Sequence, residues 1–384
     1  MFEEIYLDNA ATTKPYPEVI EAMTMALEET WGNPSSSHAR GKAARKLLEE
    51  SRATVARALD VEPHELYFTS GGTEADNLAI QGACLARQNT HDSLITTTLE
   101  HPAVTKSVRG LRRAGWNVSY INYRRGALSL DRLEKALSAT TALVTVTSIQ
   151  NELGFCFPLR EIGQLIAERA PGTLFHSDAV QAFGKLDFFP RKLGLDLASI
   201  SAHKIGGPKG VGALYVKAGT KLYTTAFGGG QERGLRSGTE AVPNIVGFAK
   251  AVEIIMAQRE QAALRARSLY EHLAERLQSR YDNVIINSSG AGSPYILSFS
   301  LPGVNNKQVL ERLSEQGIFL SAASACASIH PHVPEEILQT KRPMALQLAG
   351  VSKSLLGSTF RVSFCGQNTT EEIDCLIEAL PTSD

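Results

Sequence analysis

The length, composition and charge of the chain exclude several classes of protein. Its 384 residues are too many for one ordinary core and predict a large domain with a smaller one. Hydrophobic residues at 43%, charged residues at 21% and a formal net charge of -1 exclude a disordered or fibrous chain, and we expect no direct nucleic-acid binding.

Neither the N-terminus nor the cysteines indicate export. Residues 1–8 are acidic and lack the basic and apolar regions of a signal peptide. The most apolar runs, 142–149 and 245–257, fall well below the roughly 18 to 20 residues that cross a bilayer. The five cysteines are widely spread and form no C-x-x-C pair, which predicts free thiols and no metal site. We therefore expect a cytoplasmic protein that does not bind membranes.

From about residue 15 to 260, short β-branched runs alternate with longer amphipathic ones, which predicts an α/β domain with a mostly parallel sheet. Seven strands are predicted in chain order: Leu66–Thr69, Ser93–Thr98, Val118–Tyr123, Ala142–Ser148, Leu174–Ser177, Leu197–Ser201 and Val211–Val216. Apolar residues at helical spacing predict helices over Gly41–Leu59, Leu130–Leu137 and Leu159–Arg169.

A long predicted helix, from about Ile245 to Gln278, leads away from the last of these strands. After it the pattern changes to sparser strands, such as Tyr295–Ser300. We therefore assign residues 15–260 to a large domain, and residues 1–14 with 261–384 to a smaller α+β domain.

The first segment with chemical information is a strand that enters a Gly-Gly turn at Gly71 and Gly72, with a helix predicted to start at Thr73. Free backbone N–H groups and the helix dipole attract a phosphate at such a start, and glycines let a ligand approach the backbone. The alternative is a tight turn with a Ser or Thr cap.

Two further segments place reactive side chains after buried strands. Lys204 follows strand 197–201 and precedes glycine-rich turns, where a partly desolvated amine could form a Schiff base. Asp178 ends strand 174–177, at the edge where open α/β sheets bind ligands. The alternatives are a surface lysine and a helix cap.

Together, in this order and spacing, these segments resemble the fold-type I enzymes that use pyridoxal 5'-phosphate (PLP). Further motifs are similar to those of the cysteine desulfurases of the NifS and IscS kind. The matches cover nearly the whole chain: 6–13 (YLDNAATT), 32–38 (GNPSSSH), 100–104 (EHPAV), 151–154 (NELG), 228–240 (GGGQERGLRSGTE), 324–326 (SAC) and 361–364 (RVSF).

The resemblance implies a role for each matching residue. Lys204 holds PLP, Asp178 pairs with its ring nitrogen, and His101 stacks on the ring; a His before Pro is otherwise only a turn residue. Asn151 and Gln181 contact the ring and its 3'-oxygen. The phosphate is bound by Gly72, Thr73, Ser201 and His203, with Thr239 reaching across from the second subunit of a homodimer. Asn33 and Arg361 hold the substrate carboxylate, a task suited to a planar guanidinium.

The resemblance also makes Cys326 the nucleophile that takes sulfur from L-cysteine as a persulfide, leaving L-alanine. Its neighbours are small and hydroxyl residues, which leave a thiol uncrowded, although a lone cysteine is more often buried as a small apolar residue. We assign Cys84, Cys156, Cys365 and Cys375 to that buried class. The chain departs from the family at Ala323, where Gly is usual, and in a longer stretch between Cys326 and Arg361 that includes Lys341, Arg342 and Pro343.

Several alternatives stay open at this point. A PLP lyase acting on selenocysteine or cysteine sulfinate needs no attacking thiol, and a weakly active partner protein could keep the fold to dock sulfur acceptors. The acceptor of a desulfurase, such as an iron-sulfur scaffold or a tRNA-thiolation protein, is left open too. A P-loop nucleotide binder is excluded, because no G-x-x-x-x-G-K-[ST] spacing is present.

Overall fold

The computed structural model describes residues 4–124, 127–322 and 345–381. The strands are β1 Ile5–Tyr6, β2 Leu66–Thr69, β3 Ser93–Thr97, β4 Asn117–Ile121, β5 Tyr123–Arg124, β6 Ala127–Leu128, β7 Thr141–Thr145, β8 Leu174–Asp178, β9 Leu197–Ser201, β10 Gly212–Val216, β11 Ile285–Ile286, β12 Ile296–Ser300, β13 Ile318–Phe319 and β14 Thr359–Ser363. The α-helices are α1 Pro17–Glu29, α2 Ala39–Leu59, α3 Gly72–Arg87, α4 Pro102–Arg113, α5 Leu130–Ala136, α6 Leu159–Arg169, α7 Val242–Arg280, α8 Asn306–Glu315, α9 Ala345–Leu348 and α10 Thr370–Ala379.

The main sheet has seven strands in the order β2-β10-β9-β8-β7-β3-β4. Neighbouring strands run parallel except β10, which is antiparallel to both β2 and β9. The central strands are buried along their whole length, as expected where helices cover both faces of a parallel sheet. The predicted mostly parallel seven-stranded sheet is confirmed, with each predicted strand present and its ends shifted by a few residues at most.

A smaller antiparallel sheet, in the order β11-β12-β14, lies in the C-terminal part of the chain. The N-terminal strand β1 pairs in parallel with β13, and Asp8 forms an isolated bridge with Ser363 of β14. The N-terminal residues thereby contact the C-terminal part of the chain. Helix α7 runs without a break through residue 260, so the proposed domain division falls inside a continuous helix and stays a prediction.

The topology brings several strand ends to one edge. Strands β2, β7, β8 and β9 point the same way, so their carboxyl ends meet at the same edge of the sheet. Open α/β sheets bind ligands at that edge. Among the helices that the structure describes, none combines the length and the apolar character needed to cross a membrane.

Candidate active site

A cavity of about 260 Å³ opens at the carboxyl edge of the main sheet. Nine of the residues predicted to bind PLP line it: Gly72, Thr73, His101, Asn151, Asp178, Gln181, Ser201, His203 and Lys204. Residues from separated segments of sequence therefore meet around one space. What each of them binds stays a prediction at this point.

Lys204 ends a short 3-10 turn that follows β9. Its Nζ donates hydrogen bonds to the carbonyl oxygens of Ala10 and Ala11, each at 2.7 Å. The backbone of the same N-terminal segment is held in place, because Thr13 N donates to His203 O and Thr13 Oγ1 donates to Lys204 O. The N-terminal motif thus positions the lysine amine at the cavity wall.

Two buried carboxylates lie at the base of the cavity. Asp178 ends β8, and its Oδ1 accepts a hydrogen bond from Val180 N at 3.0 Å. Burial raises the pKa of Asp178 above its usual value, while His101 and Lys204 lower it in part. Burial first, and then the charge of Asp178, raise the pKa of Asp76 well above its usual value. The pair therefore holds a proton more tightly than two solvated carboxyls.

A neutral histidine lies behind these carboxylates. His176 Nδ1 is 2.8 Å from Thr145 Oγ1, and its Nε2 is 3.0 Å from Ser199 Oγ and 3.7 Å from Asp76 Oδ1. Burial lowers the pKa of His176 to about 3, so the imidazole is uncharged at neutral pH and the contact with Asp76 is not an ion pair. His176 therefore takes part in hydrogen bonds behind the two carboxylates but supplies no positive charge to offset theirs.

His101 is both a turn residue and a cavity residue, and its stacking on the cofactor ring stays a prediction. It caps helix α4, since its Nδ1 accepts a hydrogen bond from Ala103 N at 3.2 Å, and it also lines the cavity. Accepting at Nδ1 leaves the other ring nitrogen to carry the proton of the neutral ring. Burial lowers the pKa of His101, with Asp178 raising it and Lys204 lowering it further. His101, Asp76 and Asp178 each bring an atom within 4.8 Å of the others, a spacing that a cation could also use.

The opposite part of the cavity is suited to an anion. Helix α3 begins at Gly72, and Gly71 before it has φ +151°, a conformation that favours glycine. A Cβ on Gly72 would lie 2.6 Å from Val180 Cγ2, so any other residue would force the Val180 side chain to shift. Ser201 Oγ is buried without a hydrogen-bond partner among the described residues. An unpartnered hydroxyl beside a helix N-terminus is the arrangement that a phosphate group satisfies.

Arg361 lies on β14 and is buried. Its Nη2 donates to Asp8 Oδ1 at 2.7 Å and its Nη1 donates to Asn151 O at 3.0 Å, which ties it to a cavity residue. Its Nε has no hydrogen-bond partner in the described part of the chain. Nearby, burial raises the pKa of Glu152 to about 7, although the charge of Arg361 lowers it. These two contacts use two of the five guanidinium N–H groups, so donors remain on Nε and on each Nη.

Four predicted site residues are not among those that line the cavity: Arg361, Asn33, Thr239 and Cys326. Asn33 is exposed, and its Oδ1 accepts a hydrogen bond from Ser35 N at 2.8 Å. Thr239 is exposed as well. Cys326 and the departure at Ala323 lie outside the described residues. Their roles stay predictions.

The assignment of the remaining cysteines to the interior was wrong for two of them. Cys84 is buried as expected and Cys365 is half-buried, but Cys156 and Cys375 are exposed. Cys156 lies between the buried Phe155 and Phe157. In extended backbone, neighbouring side chains point to opposite sides, so Cys156 points outward. Cys375 is off the buried stripe of helix α10, which is formed by Ile373, Leu376 and Ile377.

Sequence reasoning also missed several residues of the cavity: Ala10, Asp76, Thr147, Ile149 and Val180. Ala10 lies in the motif at 6–13 and Asp76 lies in the helix predicted to start at Thr73, but neither residue had an assigned role. Asp76 lies one turn into α3, where a carboxylate normally faces solvent, so no local signal marks its burial. The backbone N–H of Thr147 donates to Glu100 Oε1 at 3.0 Å. Burial raises the pKa of Glu100 to about 8.

Comparison with known proteins agrees with this geometry. The family model described as Aminotransferase class-V matches residues 5–376. The chain belongs to the class-V aminotransferase family. A relative named cysteine desulfurase IscS, from Clostridium botulinum, is 37% identical over 99% of this chain and 94% of its own length.

Solved structures with similar folds include a NifS-like protein and a protein in complex with cysteine. A structure titled NIFS-LIKE PROTEIN has a TM-score of 0.90 and 35% identity, covering 98% of both chains. A structure titled SspA in complex with cysteine has a TM-score of 0.80 and 31% identity, covering 95% of this chain and 100% of the other. The predicted fold-type I architecture and the resemblance to NifS- and IscS-type cysteine desulfurases are confirmed, and with them the dependence on PLP.

Proposed function

We propose that this protein is a cysteine desulfurase that uses PLP to convert L-cysteine into L-alanine and leaves a persulfide on Cys326. One observation carries the proposal. The amine of Lys204, the buried carboxylate of Asp178 and the N-terminus of α3 meet around one cavity in a chain of this family. The protein acts in the cytoplasm and passes its sulfur to acceptor proteins, such as an iron-sulfur scaffold.

The donors in the cavity fit the parts of PLP. Lys204 holds the aldehyde carbon, and the acidic pair Asp178 and Asp76 keeps a proton available to the ring nitrogen. Gly72, Thr73, Ser201 and His203 surround the phosphate, where the unpartnered hydroxyl of Ser201 supports the assignment. Asn151, Gln181 and the ring of His101 complete the walls. Bound there, PLP supplies an electron sink for negative charge at the substrate Cα.

The residues of this chain move the protons. Lys204 takes the proton from the substrate Cα, because its amine is held at the cavity wall by two carbonyl oxygens. His101 then carries a proton to the departing product. Burial keeps its imidazole neutral at pH 7, the form that can both accept and donate.

Cys326 is the group that accepts the sulfur of L-cysteine. Its thiolate attacks the sulfur of L-cysteine, so one S–S bond forms, the C–S bond breaks, and the β-carbon gains a proton to give L-alanine. The step balances without an external oxidant, because the sulfur is oxidised to the persulfide level while the electron pair of the broken C–S bond stays on the β-carbon, which is reduced and protonated. A thiolate is required for this attack, since a thiol is a poor nucleophile.

Arg361 holds the substrate carboxylate, which is supported by its hydrogen bond to the cavity residue Asn151 and by the guanidinium donors that remain. We expect Arg361→Lys to lower kcat/KM for L-cysteine about 10- to 100-fold, mostly through KM, because a charged hydrogen bond contributes roughly 1.5–3 kcal/mol and Lys cannot bind both carboxylate oxygens in one plane. Steady-state alanine production measures the effect. Arg276→Lys, on the exposed side of α7, is the matched control. An unchanged KM for Arg361→Lys would contradict the assignment.

The protein forms a homodimer in which Thr239 completes the phosphate site of the other subunit. Exposed apolar side chains support this: Phe227 is 75% exposed and lies beside Tyr223 in the segment that leads to Thr239. We expect Phe227→Asp to shift the protein toward monomer and to weaken PLP binding. Light scattering after size-exclusion chromatography measures the first effect. Leu264→Asp, at a position 72% exposed on α7, is the control and keeps the dimer. A dimer of unchanged stability in Phe227→Asp would contradict the proposal.

The direct test of the function is incubation of purified protein with PLP and L-cysteine, followed by measurement of alanine and sulfide. We expect a yellow protein and multiple turnovers. A colourless protein without turnover would overturn the proposal in favour of a partner protein. Turnover of selenocysteine or cysteine sulfinate by Cys326→Ala, with none of L-cysteine by the wild type, would overturn it in favour of a lyase. Pull-down with the trapped persulfide identifies the acceptor.

A further inference from the structure

A buried lysine lies behind the cavity and has no part in the chemistry described so far. Lys185 follows β8 in sequence and is only 5% exposed. Its Nζ donates a hydrogen bond to Gln181 Oε1 at 3.0 Å and lies 5.8 Å from the centre of the Tyr295 ring. Within the residues that the structure describes, no carboxylate forms an ion pair with it. A buried lysine without an acidic partner is costly and calls for a specific role.

The contact fixes which way the amide of Gln181 faces. An amine donor can be met only by the amide oxygen, so Oε1 faces Lys185 and Nε2 faces the other way. Nε2 donates to Ala10 O at 2.9 Å, and Lys204 Nζ donates to the same oxygen at 2.7 Å. Both partners of Gln181 therefore require the same orientation. A continuous series of hydrogen bonds runs from Lys185 through Gln181 and the Ala10 carbonyl to Lys204.

We propose that Lys185 is a positioning residue that holds the Gln181 amide with its N–H donors toward the cofactor cavity. The inference rests on the proposed function, because the second N–H of Nε2 gains a role only when an anionic oxygen of the cofactor ring lies in the cavity. Gln181 lines that cavity and is itself buried. Without Lys185, the buried Oε1 would be left without this donor, and only the hydrogen bond from Nε2 to Ala10 O would still hold the orientation.

The surroundings of Lys185 agree with this role. Burial, together with the charges of Lys204 and Arg361, lowers the pKa of Lys185 to about 7, whereas the thiol of Cys365 raises it. Both the charged and the neutral amine can donate to Oε1, so the hydrogen bond persists on either side of neutral pH. Gly184 before it has φ +73°, and a Cβ at this position would lie 3.1 Å from side-chain carbons of both Ile205 and Ile255. The turn that carries Lys185 therefore favours glycine and is closely packed.

The test is a double-mutant cycle of Lys185→Met and Gln181→Leu, read from the visible absorbance of bound PLP as a function of pH. Losing a donor and a nearby positive charge favours the protonated form of the Lys204–cofactor linkage. We therefore expect Lys185→Met to raise the midpoint of the absorbance titration by about half a pH unit to one unit. In the Gln181→Leu background most of this shift is expected to disappear, since the two residues act as one unit.

Controls separate the possible outcomes. Lys221→Met, at an exposed lysine, should leave the midpoint unchanged. If Lys185→Met does not fold, Lys185→Gln, which keeps an N–H donor, replaces it in both backgrounds, with a smaller shift that again requires Gln181. An equal shift with and without Gln181, or no shift in either, would overturn the inference and leave the proposed function intact. A wild-type protein without a pH-dependent visible band would instead overturn the proposed function.

Discussion

Replacement of Lys204 by Ala is expected to remove both the visible absorbance of bound PLP and the desulfurase activity. The amine is at the cavity wall, where two carbonyl oxygens of the N-terminal segment hold it in place. The change removes the covalent anchor of the cofactor and also the base for the substrate Cα proton. Loss of a proton-transfer group alone costs about 10²–10⁴-fold, so we expect activity below detection in a standard alanine assay.

Two controls make the Lys204 result specific. Lys209→Ala changes a lysine in the same glycine-rich segment, at an exposed position, and should keep the colour and the activity. The circular dichroism spectrum and the melting temperature of Lys204→Ala should show a folded protein. A Lys204→Ala protein that kept the absorbance of a lysine-bound cofactor would contradict the cofactor assignment.

The second large effect is expected from Cys326→Ala. This variant should keep the colour of bound PLP and still bind L-cysteine, because neither depends on the thiol. Sulfide release and alanine formation should fall by at least about 10²–10³-fold, since no group is left to take the sulfur from the substrate. Absorbance spectroscopy follows cofactor and substrate binding, and an assay with a reducing agent follows sulfide.

The exposed Cys156 and Cys375 supply matched controls. Cys156→Ala and Cys375→Ala should leave turnover unchanged, because these thiols are accessible but lie away from the cavity walls. Unchanged turnover of L-cysteine by Cys326→Ala would contradict the persulfide role. Loss of turnover in Cys375→Ala instead would move the sulfur acceptor to the C-terminal helix.

The main sheet was predictable because its strands carry their own signals. Strands 66–69 and 197–201 were predicted with the bounds that the structure has, since buried apolar runs there end at glycine or polar turns. Residues placed directly after such strands, like Asp178 and Lys204, follow from the rule for ligand sites in α/β sheets.

The sequence could not predict which side chains are buried by packing between segments that are far apart in the chain. Asp76 and Lys185 are ionisable residues at sequence positions where such side chains are ordinarily solvated, and only the fold shows them to be buried beside the cavity. The same limit explains the error over Cys156 and Cys375, because the exposed side of a helix or loop depends on what packs against it. The hydrogen bond from Arg361 to Asp8 is likewise a contact between residues far apart in sequence.

We propose that the Lys204 amine and the Cys326 sulfur act on the same substrate molecule. It is tested most directly by mass spectrometry of the peptide that contains Cys326, after brief exposure of the wild-type and Lys204→Ala proteins to L-cysteine without reducing agent. We expect the added mass of one sulfur atom on Cys326 in the wild type, alanine in matching amount, and neither in Lys204→Ala. The same added sulfur on Cys326 in both proteins, or on another cysteine in the wild type, would contradict it.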